Sequence, residues 1–469
     1  MSNHSAALGT EKIGKLLLQQ SVPAGIGILV MSINMIVDTI FVGNWIGPLA
    51  IAAITVVLPI VFLIASVGMA IGVGGGSMIS RALGADDERR ANNVFGNQIA
   101  MAMTLAIGFL ILAYFLGGPI LTAFGANGKI MGLAEVYFYG LLPAVPFLAF
   151  AMMSNNVIRA EGHPRIAMMV MLIPALANIG LDILFINVFE WGMAGAAWAS
   201  GLSFMASAVY SLLYFLFGKS ELRIRARDFP LKWELVKEIL ALGGVTLARQ
   251  GVVSILAIVL NNVLYQYGNE DYVAMYGIIN RMMMFALFPI LGLTQGFLPI
   301  TGYNFGAKHF ERVRKTLQVS IVAGTILSLV IYLGLVVFRR PLVGLFTDES
   351  FYMDHTPRAM LIVFAATPIV LTQFVGAAYF QAIGRALPAL LLTLTKQGFF
   401  LVPLCLLFPV WFGVEGIWWA FPVADTMSTV VTLFFLRRAM QDLQVMEIEA
   451  HPEKAPHPEA TPVEAESEA

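Results

Sequence analysis

Twelve apolar segments, each about 20 residues or longer, run through this chain between residues 16 and 437. Segments of this length cross a bilayer as helices, because a helix satisfies its own backbone hydrogen bonds inside lipid. Only 12% of the residues are charged, whereas soluble domains carry about 25%. The pattern predicts an all-α integral membrane protein and excludes a water-soluble enzyme. The predicted spans are residues 16–42, 49–79, 94–116, 130–155, 166–188, 192–217, 236–266, 272–302, 316–338, 355–383, 388–411 and 415–437.

The two halves of the chain repeat. Arg81-Ala-Leu-Gly84 recurs as Tyr303-Asn-Phe-Gly306, and two further pairs of motifs are separated by the same 221 or 222 residues. Each half has six spans and enters the membrane from the same side, so we predict two six-helix lobes related by pseudo-two-fold symmetry about the membrane normal. The predicted divisions are a cytoplasmic N-terminus (1–15), an N-terminal lobe (16–217), an inter-lobe linker (218–235), a C-terminal lobe (236–437) and a disordered acidic tail (438–469).

The loops on the two sides of the membrane differ in basic charge. If the N-terminus lies inside, the outer loops hold only Lys129, Arg339 and Arg340, and the other loop lysines and arginines are cytoplasmic. Loops rich in Lys and Arg stay on the cytoplasmic side of a membrane. We therefore expect a multi-pass protein of the plasma (inner) membrane, with both termini, the linker and the tail in the cytoplasm.

Two aspartates lie inside predicted spans of the first half, and each follows an asparagine by four residues. The pairs are Asn34 with Asp38 and Asn178 with Asp182, and this spacing places amide and carboxylate on one helix face. An ionisable residue at membrane depth is costly and by default indicates function. We predict a cation-coupling site here for H⁺, or for Na⁺ at Asp38, Asn178 and Asp182. Ser200 on the sixth span is a further candidate oxygen.

The second half lacks this pattern, because the repeat places leucines, Leu260 and Leu404, opposite the two aspartates. It has other polar residues within its spans, and these are secondary candidate sites. Two interpretations remain open: the residues form internal pairs that stabilise the lobe, or they contact substrate or a second proton. The residues are Asp425, Arg249, Gln250, Arg281 and Lys396.

The glycine-rich run from Gly72 to Gly76 superficially suggests a phosphate-binding loop. No lysine follows at the required spacing, and the run lies inside an apolar helix, which favours close helix packing. The chain has no ATP-binding motif, catalytic constellation or His/Cys metal cluster. We therefore expect a transporter driven by an ion gradient, without enzymatic activity, cofactor or nucleic-acid partner. We expect it to act as a monomer in the lipid bilayer.

The motifs around the aspartates resemble those of a known family. Asn34 and Asp38 with the following Thr-Ile-Phe-Val-Gly43 look like the first-helix signature of the multidrug and toxic compound extrusion (MATE) transporters. Pro174, Asn178 and Asp182 look like their fifth helix, and the resemblance covers roughly residues 10–440. It implies a V-shaped pair of lobes and an N-lobe cation site that uses Asp38, Asn178 and Asp182. Another branch adds a glutamate in the seventh helix, where this chain has Arg249 and Gln250.

The resemblance implies export of cationic or amphipathic drugs and toxic compounds by H⁺ or Na⁺ antiport. The main alternative is a lipid-linked saccharide flippase of the same superfamily, against which the aspartate pair argues. A major facilitator transporter is a further alternative, but the loop that begins at Gly84 only partly matches the basic motif of that class. No pore loop or catalytic pattern favours a channel or a membrane enzyme.

Overall fold

The computed structural model describes residues 5–450, and every regular element within them is helical. A short helix, α1 (Ala6–Thr10), precedes the spans. The first half continues with α2 (Ile13–Trp45), α3 (Pro48–Gly84), α4 (Glu88–Ala123), α5 (Lys129–Leu141), α6 (Val145–Ala160), α7 (Pro164–Asp182) and α8 (Gly192–Phe217). The second half contains α9 (Trp233–Tyr267), α10 (Glu270–Gly306), α11 (Phe310–Val337), α12 (Arg339–Gly344), α13 (Ser350–Val363), α14 (Thr367–Ala382), α15 (Ala386–Leu394) and α16 (Val402–Ala450).

Within residues 5–450 the helices form twelve spans, as predicted. α5 and α6 together form one span, and α13 and α14 form another that is bent by 48°. The backbone of Gly413 is non-helical (φ 58°, ψ −147°), so it divides α16 into two parts. The part before Gly413 is the end of the eleventh span, and the part after it is the twelfth span. We predicted a disordered tail from residue 438. This prediction is wrong for residues 438–450, because the last helix continues to Ala450. Residues 451–469 of the predicted tail lie outside the described residues.

The hydrophobic core is divided in a way that defines two lobes. One cluster contains residues of both halves, including Leu16 at the start of α2 and Leu242 near the start of α9. Toward the other ends of these helices the core separates into one cluster for each half, with Val42 in the first and Leu260 in the second. The lobes are therefore packed together at one end of the spans, called here the joined end. They have separate cores at the opposite end, called the open end.

Glycines allow the lobes to approach closely at the joined end. A Cβ on Gly84 of α3 would collide with the backbone carbonyl of Tyr303, and one on Gly306 of α10 would collide with that of Arg81. These are the same repeat motifs that the sequence shows in the two halves, so each repeat packs against its own counterpart. Gly74, from the glycine-rich run, likewise lies against the carbonyl of Ile239 on α9. Inside lipid, close contact between small residues is a main source of helix association, which confirms the packing interpretation of this run.

Polar contacts at the joined end also cross between the lobes. Glu238 of α9 forms an ion pair with Arg81 at 2.8 Å and a second with Arg90 at 3.3 Å. The hydroxyl of Ser77 on α3 donates to the carbonyl of Gln381 on α14 at 2.6 Å. Within the second half, the Gln381 amide donates to the carbonyl of Leu242 at 2.8 Å. The joined end is therefore closed by both packing and hydrogen bonding.

The inter-lobe linker is attached to the first half by a buried glutamate. Glu161, between α6 and α7, accepts hydrogen bonds from the hydroxyl of Ser220 (2.7 Å) and from the backbone N–H groups of Glu221 (2.8 Å) and Leu222 (3.1 Å). Tyr214 donates to its other oxygen at 3.2 Å. Burial raises the pKa of Glu161 to about 7, although the four hydrogen bonds act in the opposite direction.

A pair of adjacent glycines on α9 tests the packing of the joined end. A Cβ on Gly243 would lie 2.9 Å from the carbonyl carbon of Ala70, whereas a Cβ on Gly244 would meet no heavy atom within 4 Å. Gly243→Ala should lower the free energy of unfolding by about 1–3 kcal/mol through overpacking. The matched control Gly244→Ala should leave it unchanged or raise it by up to about 1 kcal/mol through helix propensity. Thermal unfolding of the purified variants measures both, and equal effects would contradict the packing assignment.

The raised pKa of Glu161 predicts a pH-dependent stability. Above the ordinary value of 4.5 the unfolded carboxyl loses its proton, while the folded one retains it up to about pH 7. The stabilisation is therefore complete below pH 4.5 and is lost as pH rises to about 7. Glu161→Gln should remove this dependence, and its size should be on the order of a few kcal/mol. Thermal unfolding from pH 4.5 to 8 compares the two proteins, and identical pH profiles would contradict the assignment.

Candidate functional site

Packing of α2 against α7 brings the two predicted Asn–Asp pairs together. The amide of Asn34 donates to the amide oxygen of Asn178 at 3.1 Å. One helical turn further toward the open end, the carboxyls of Asp38 and Asp182 lie near each other. Asn178 and Asp182 are buried, and Asn34 and Asp38 are half-buried. The i, i+4 spacing therefore places both pairs on the contacting faces of the two helices.

The site has more acceptor oxygens than hydrogen-bond donors. At this site, four buried oxygens accept no hydrogen bond from the described residues: Oδ1 of Asn34, Oδ1 of Asp38 and both carboxylate oxygens of Asp182. Buried polar atoms are normally paired, and a buried carboxylate without a partner is especially costly. A cation or a proton at this position would satisfy these oxygens.

Ser200 and a tyrosine complete the polar cluster. The Asn178 amide donates to the hydroxyl of Ser200 on α8 at 3.5 Å, a long contact, and the hydroxyl of Tyr137 on α5 also lies 3.5 Å from it. Ser200, which the sequence suggests as a further oxygen, therefore lies at the edge of the site, beside Asn178. The sequence does not predict Tyr137 at this site, because a tyrosine in an apolar span has no distinguishing spacing.

The local backbone at Asp182 departs from an α-helix. Asp182 is the last residue of α7, and Ile183–Val188 continue as a π-helix. The π-helix is packed by stacked aromatic rings, with the rings of Phe185 and Trp191 4.9 Å apart. Short π-helical segments occur often at functional sites. Here the segment begins directly after the aspartate.

The second half contains an internal ion pair instead of an acidic pair. Lys396 lies on a π-helical segment (Thr395–Leu401), and its Nζ is 2.6 Å from Oδ1 of Asp425 on α16. Gln373 of α14 donates to the backbone oxygen of Asp425 at 2.8 Å and to its Oδ1 at 3.3 Å. These contacts agree with the interpretation in which Asp425 and Lys396 stabilise the lobe.

The remaining secondary candidates divide between two places. Arg249 and Gln250 line a cavity of about 580 Å³ in the second half, together with Lys396. The guanidinium of Arg249 lies 5.8 Å from the ring centre of Phe374. Arg281 is separate, because its guanidinium faces the ring of Phe346 at 5.9 Å. Arg249 and Lys396 come from different spans, and their position in one cavity was not predicted from the sequence.

The cluster on α2 and α7 has the chemistry of a monovalent-cation or proton site. Among the described residues, no group of three or more His, Cys, Asp or Glu side chains is arranged to hold a metal ion. Two carboxylates with amide and hydroxyl oxygens are hard ligands, which suit Na⁺ rather than a transition metal. A close carboxylate pair also favours protonation, because two adjacent charges repel each other.

Comparison with characterised proteins identifies relatives along almost the whole chain. The multidrug export protein MepA of Staphylococcus aureus strain N315 is 26% identical over 422 residues, which cover 90% of this chain and 93% of that protein. The MepA of Staphylococcus saprophyticus is 27% identical over 426 residues, with the same coverage.

Solved structures agree with this similarity. A multidrug resistance MATE family transporter of the MOP superfamily in an outward-facing conformation is 25% identical and has a TM-score of 0.87, covering 94% of this chain and 98% of that one. A MATE structure in the bent conformation has a TM-score of 0.89 at 24% identity, with coverage of 95% and 99%, and shows the shared fold. The twelve-helix, two-lobe prediction is thereby confirmed.

The family profile matches the two repeats separately. The MatE profile covers residues 23–184 of the first half and 247–407 of the second. The first matched segment includes all four residues of the two Asn–Asp pairs, and the second includes Arg249 and Lys396. Since the two segments make up more than half of the sequence, the chain belongs to the MatE family.

Proposed function

We propose that this chain is a secondary active transporter that exports cationic or amphipathic drugs and toxic compounds in exchange for H⁺ or Na⁺. The four buried oxygens without hydrogen-bond partners on α2 and α7 are the observation that carries the proposal. The export role is supported by relatives named as multidrug export proteins. We expect no enzymatic activity and a location in the plasma membrane of the cell.

The coupling ion is proposed to bind between Asp38 and Asp182. A proton shared between the carboxyls, or Na⁺ bound to them with Asn178, would neutralise the charge that their approach creates. Without the ion, repulsion between two carboxylates in a low-dielectric site favours separation of α2 from α7. Ion occupancy is therefore linked to the packing of these two helices, and Asn34 and Asn178 keep them in register through their hydrogen bond.

The direction of transport follows from the proposed orientation of the lobes. The basic loops favour a cytoplasmic location for the joined end, so the open end is proposed to face outward. Asp38 and Asp182 each lie four residues before a member of the separate first-half core, Val42 and Ile186. An ion entering from outside therefore reaches the site without passing the joined end. Opening toward the cytoplasm requires separation of Glu238 from Arg81 and Arg90.

The free energy that the ion gradient supplies is enough for export only if ion and drug are tightly exchanged. One monovalent cation moving through 100 mV supplies about 2.3 kcal/mol, and one pH unit adds about 1.4 kcal/mol for a proton. Together these support drug gradients of several hundred-fold only if each ion that enters expels a drug molecule. The flippase alternative has less support, because the paired carboxylates provide a cation site that such an activity does not require.

Neutralising either aspartate should abolish ion-driven export. Asp38→Asn and Asp182→Asn each retain the side-chain shape but remove the charge that attracts the ion. We expect each variant to fold and to lose drug efflux from proteoliposomes under an imposed pH or Na⁺ gradient. Asp425→Asn is the control, since Asp425 is an intramembrane acid paired with Lys396 in the other lobe. Its folded fraction should retain gradient-driven efflux.

Two results of this experiment would contradict the proposal. Gradient-driven efflux at the wild-type rate by Asp38→Asn or Asp182→Asn would exclude that residue from coupling. Complete loss of efflux in well-folded Asp425→Asn protein, with both N-lobe variants active, would move the coupling site to the second lobe. Separate Na⁺ and pH gradients in the same vesicles identify the coupling ion.

A further inference from the structure

The cavity in the second half has the size and lining of a ligand site. Its volume of about 580 Å³ falls within the range of about 300–1,000 Å³ for drug-sized ligands. Apolar side chains such as Leu256, Met283 and Phe421 form much of its wall, and amides and cationic groups form the rest. Methionine side chains adapt to ligands of different shape.

The cavity has no acidic group available for a cation. Among the described residues that line it there is no Asp or Glu. The nearby Asp425 is already paired with Lys396 at 2.6 Å and accepts a hydrogen bond from Gln373. The ammonium group of Lys396 thus occupies the place where an exchangeable cation would meet that carboxylate.

The wall of the cavity carries a net positive charge because of Arg249. It is half-buried on α9, and its guanidinium faces the ring of Phe374. Within residues 5–450 no acidic side chain forms an ion pair with it. A charged arginine within a membrane span normally pairs with an acid or serves a ligand pathway. Since the Lys396–Asp425 pair is neutral overall, the wall carries one uncompensated positive charge.

We propose that this cavity binds an amphipathic organic anion, with its carboxylate on Arg249 and its apolar body against the methionine and phenylalanine side chains. The planar guanidinium donates two parallel hydrogen bonds to a carboxylate. Gln250 and Asn280 line the same cavity and offer amide donors beside it. The inference rests on the proposed export function and extends its substrates to carboxylates, bound in the lobe opposite the ion site.

A matched pair of fluorescent probes tests the inference. The probes are 11-(dansylamino)undecanoic acid and its primary amide, which differ in the charge of one end. Equilibrium binding is measured with the full-length protein in phosphatidylcholine nanodiscs. The wild type should bind the carboxylate about tenfold to a hundredfold more tightly than the amide, in keeping with charge-assisted hydrogen bonding.

Three variants assign that preference to Arg249. Arg249→Gln should bind both probes with the affinity that the wild type has for the amide, which also shows that the cavity is intact. Arg249→Lys should retain most of the preference because it keeps the charge. Arg281→Gln is the matched control, since that arginine also faces a phenylalanine ring within a span but does not line the cavity. It should bind the carboxylate as the wild type does.

The contradicting results are distinct from those for the proposed function. Equal wild-type affinity for the two probes, or full carboxylate affinity in Arg249→Gln, would overturn the anion site. The Asp38→Asn/Asp182→Asn double variant should keep the preference for the carboxylate over the amide, so failure of ion coupling leaves this test valid.

Discussion

The proposed function depends on the proximity of the carboxyls of Asp38 and Asp182, which belong to two different helices. Two carboxylates side by side in a low-dielectric site cannot both remain charged without a cation or a proton. The surrounding oxygens have no donors of their own, and the donor groups of Asn34 and Asn178 are directed to an amide and a hydroxyl oxygen. We propose that an ion supplies the missing partner of these oxygens. Because the carboxyls lie on different helices, ion binding and helix packing are one equilibrium.

The repeated halves share a backbone plan but differ in charge. The joined end retains the symmetry, since Gly84 and Gly306 each lie against the backbone of the opposite repeat. Within the lobes the symmetry is lost: the first half has an acidic pair, whereas the second has an arginine and an internally paired lysine. We propose that the first lobe binds the cation and that the second binds a ligand of opposite charge. Ion and ligand would then bind to lobes of the same fold but of different charge.

The sequence predicted the features that depend on local pattern. Apolar length located all twelve spans, because lipid requires continuous helices, although α3 and α10 extend beyond the predicted ends. The Asn-x-x-x-Asp spacing identified the two pairs that α2 and α7 bring together, which form the proposed ion site. Features that depend on tertiary packing were not predicted. Tyr137 reaches the site from another span, and Arg249 and Lys396 come together only in the folded lobe. The final helix continues to Ala450, where a polar composition had suggested disorder.

The most direct test of the account is equilibrium drug binding to the purified protein as pH and Na⁺ concentration are varied. If the ion at Asp38 and Asp182 controls the packing that expels drug, drug affinity should fall as the site fills with H⁺ or Na⁺. The Asp38→Asn/Asp182→Asn double variant should bind drug with an affinity that no longer depends on either ion. A wild-type affinity that is unchanged by both pH and Na⁺ would contradict the coupling of ion and drug through the aspartate pair.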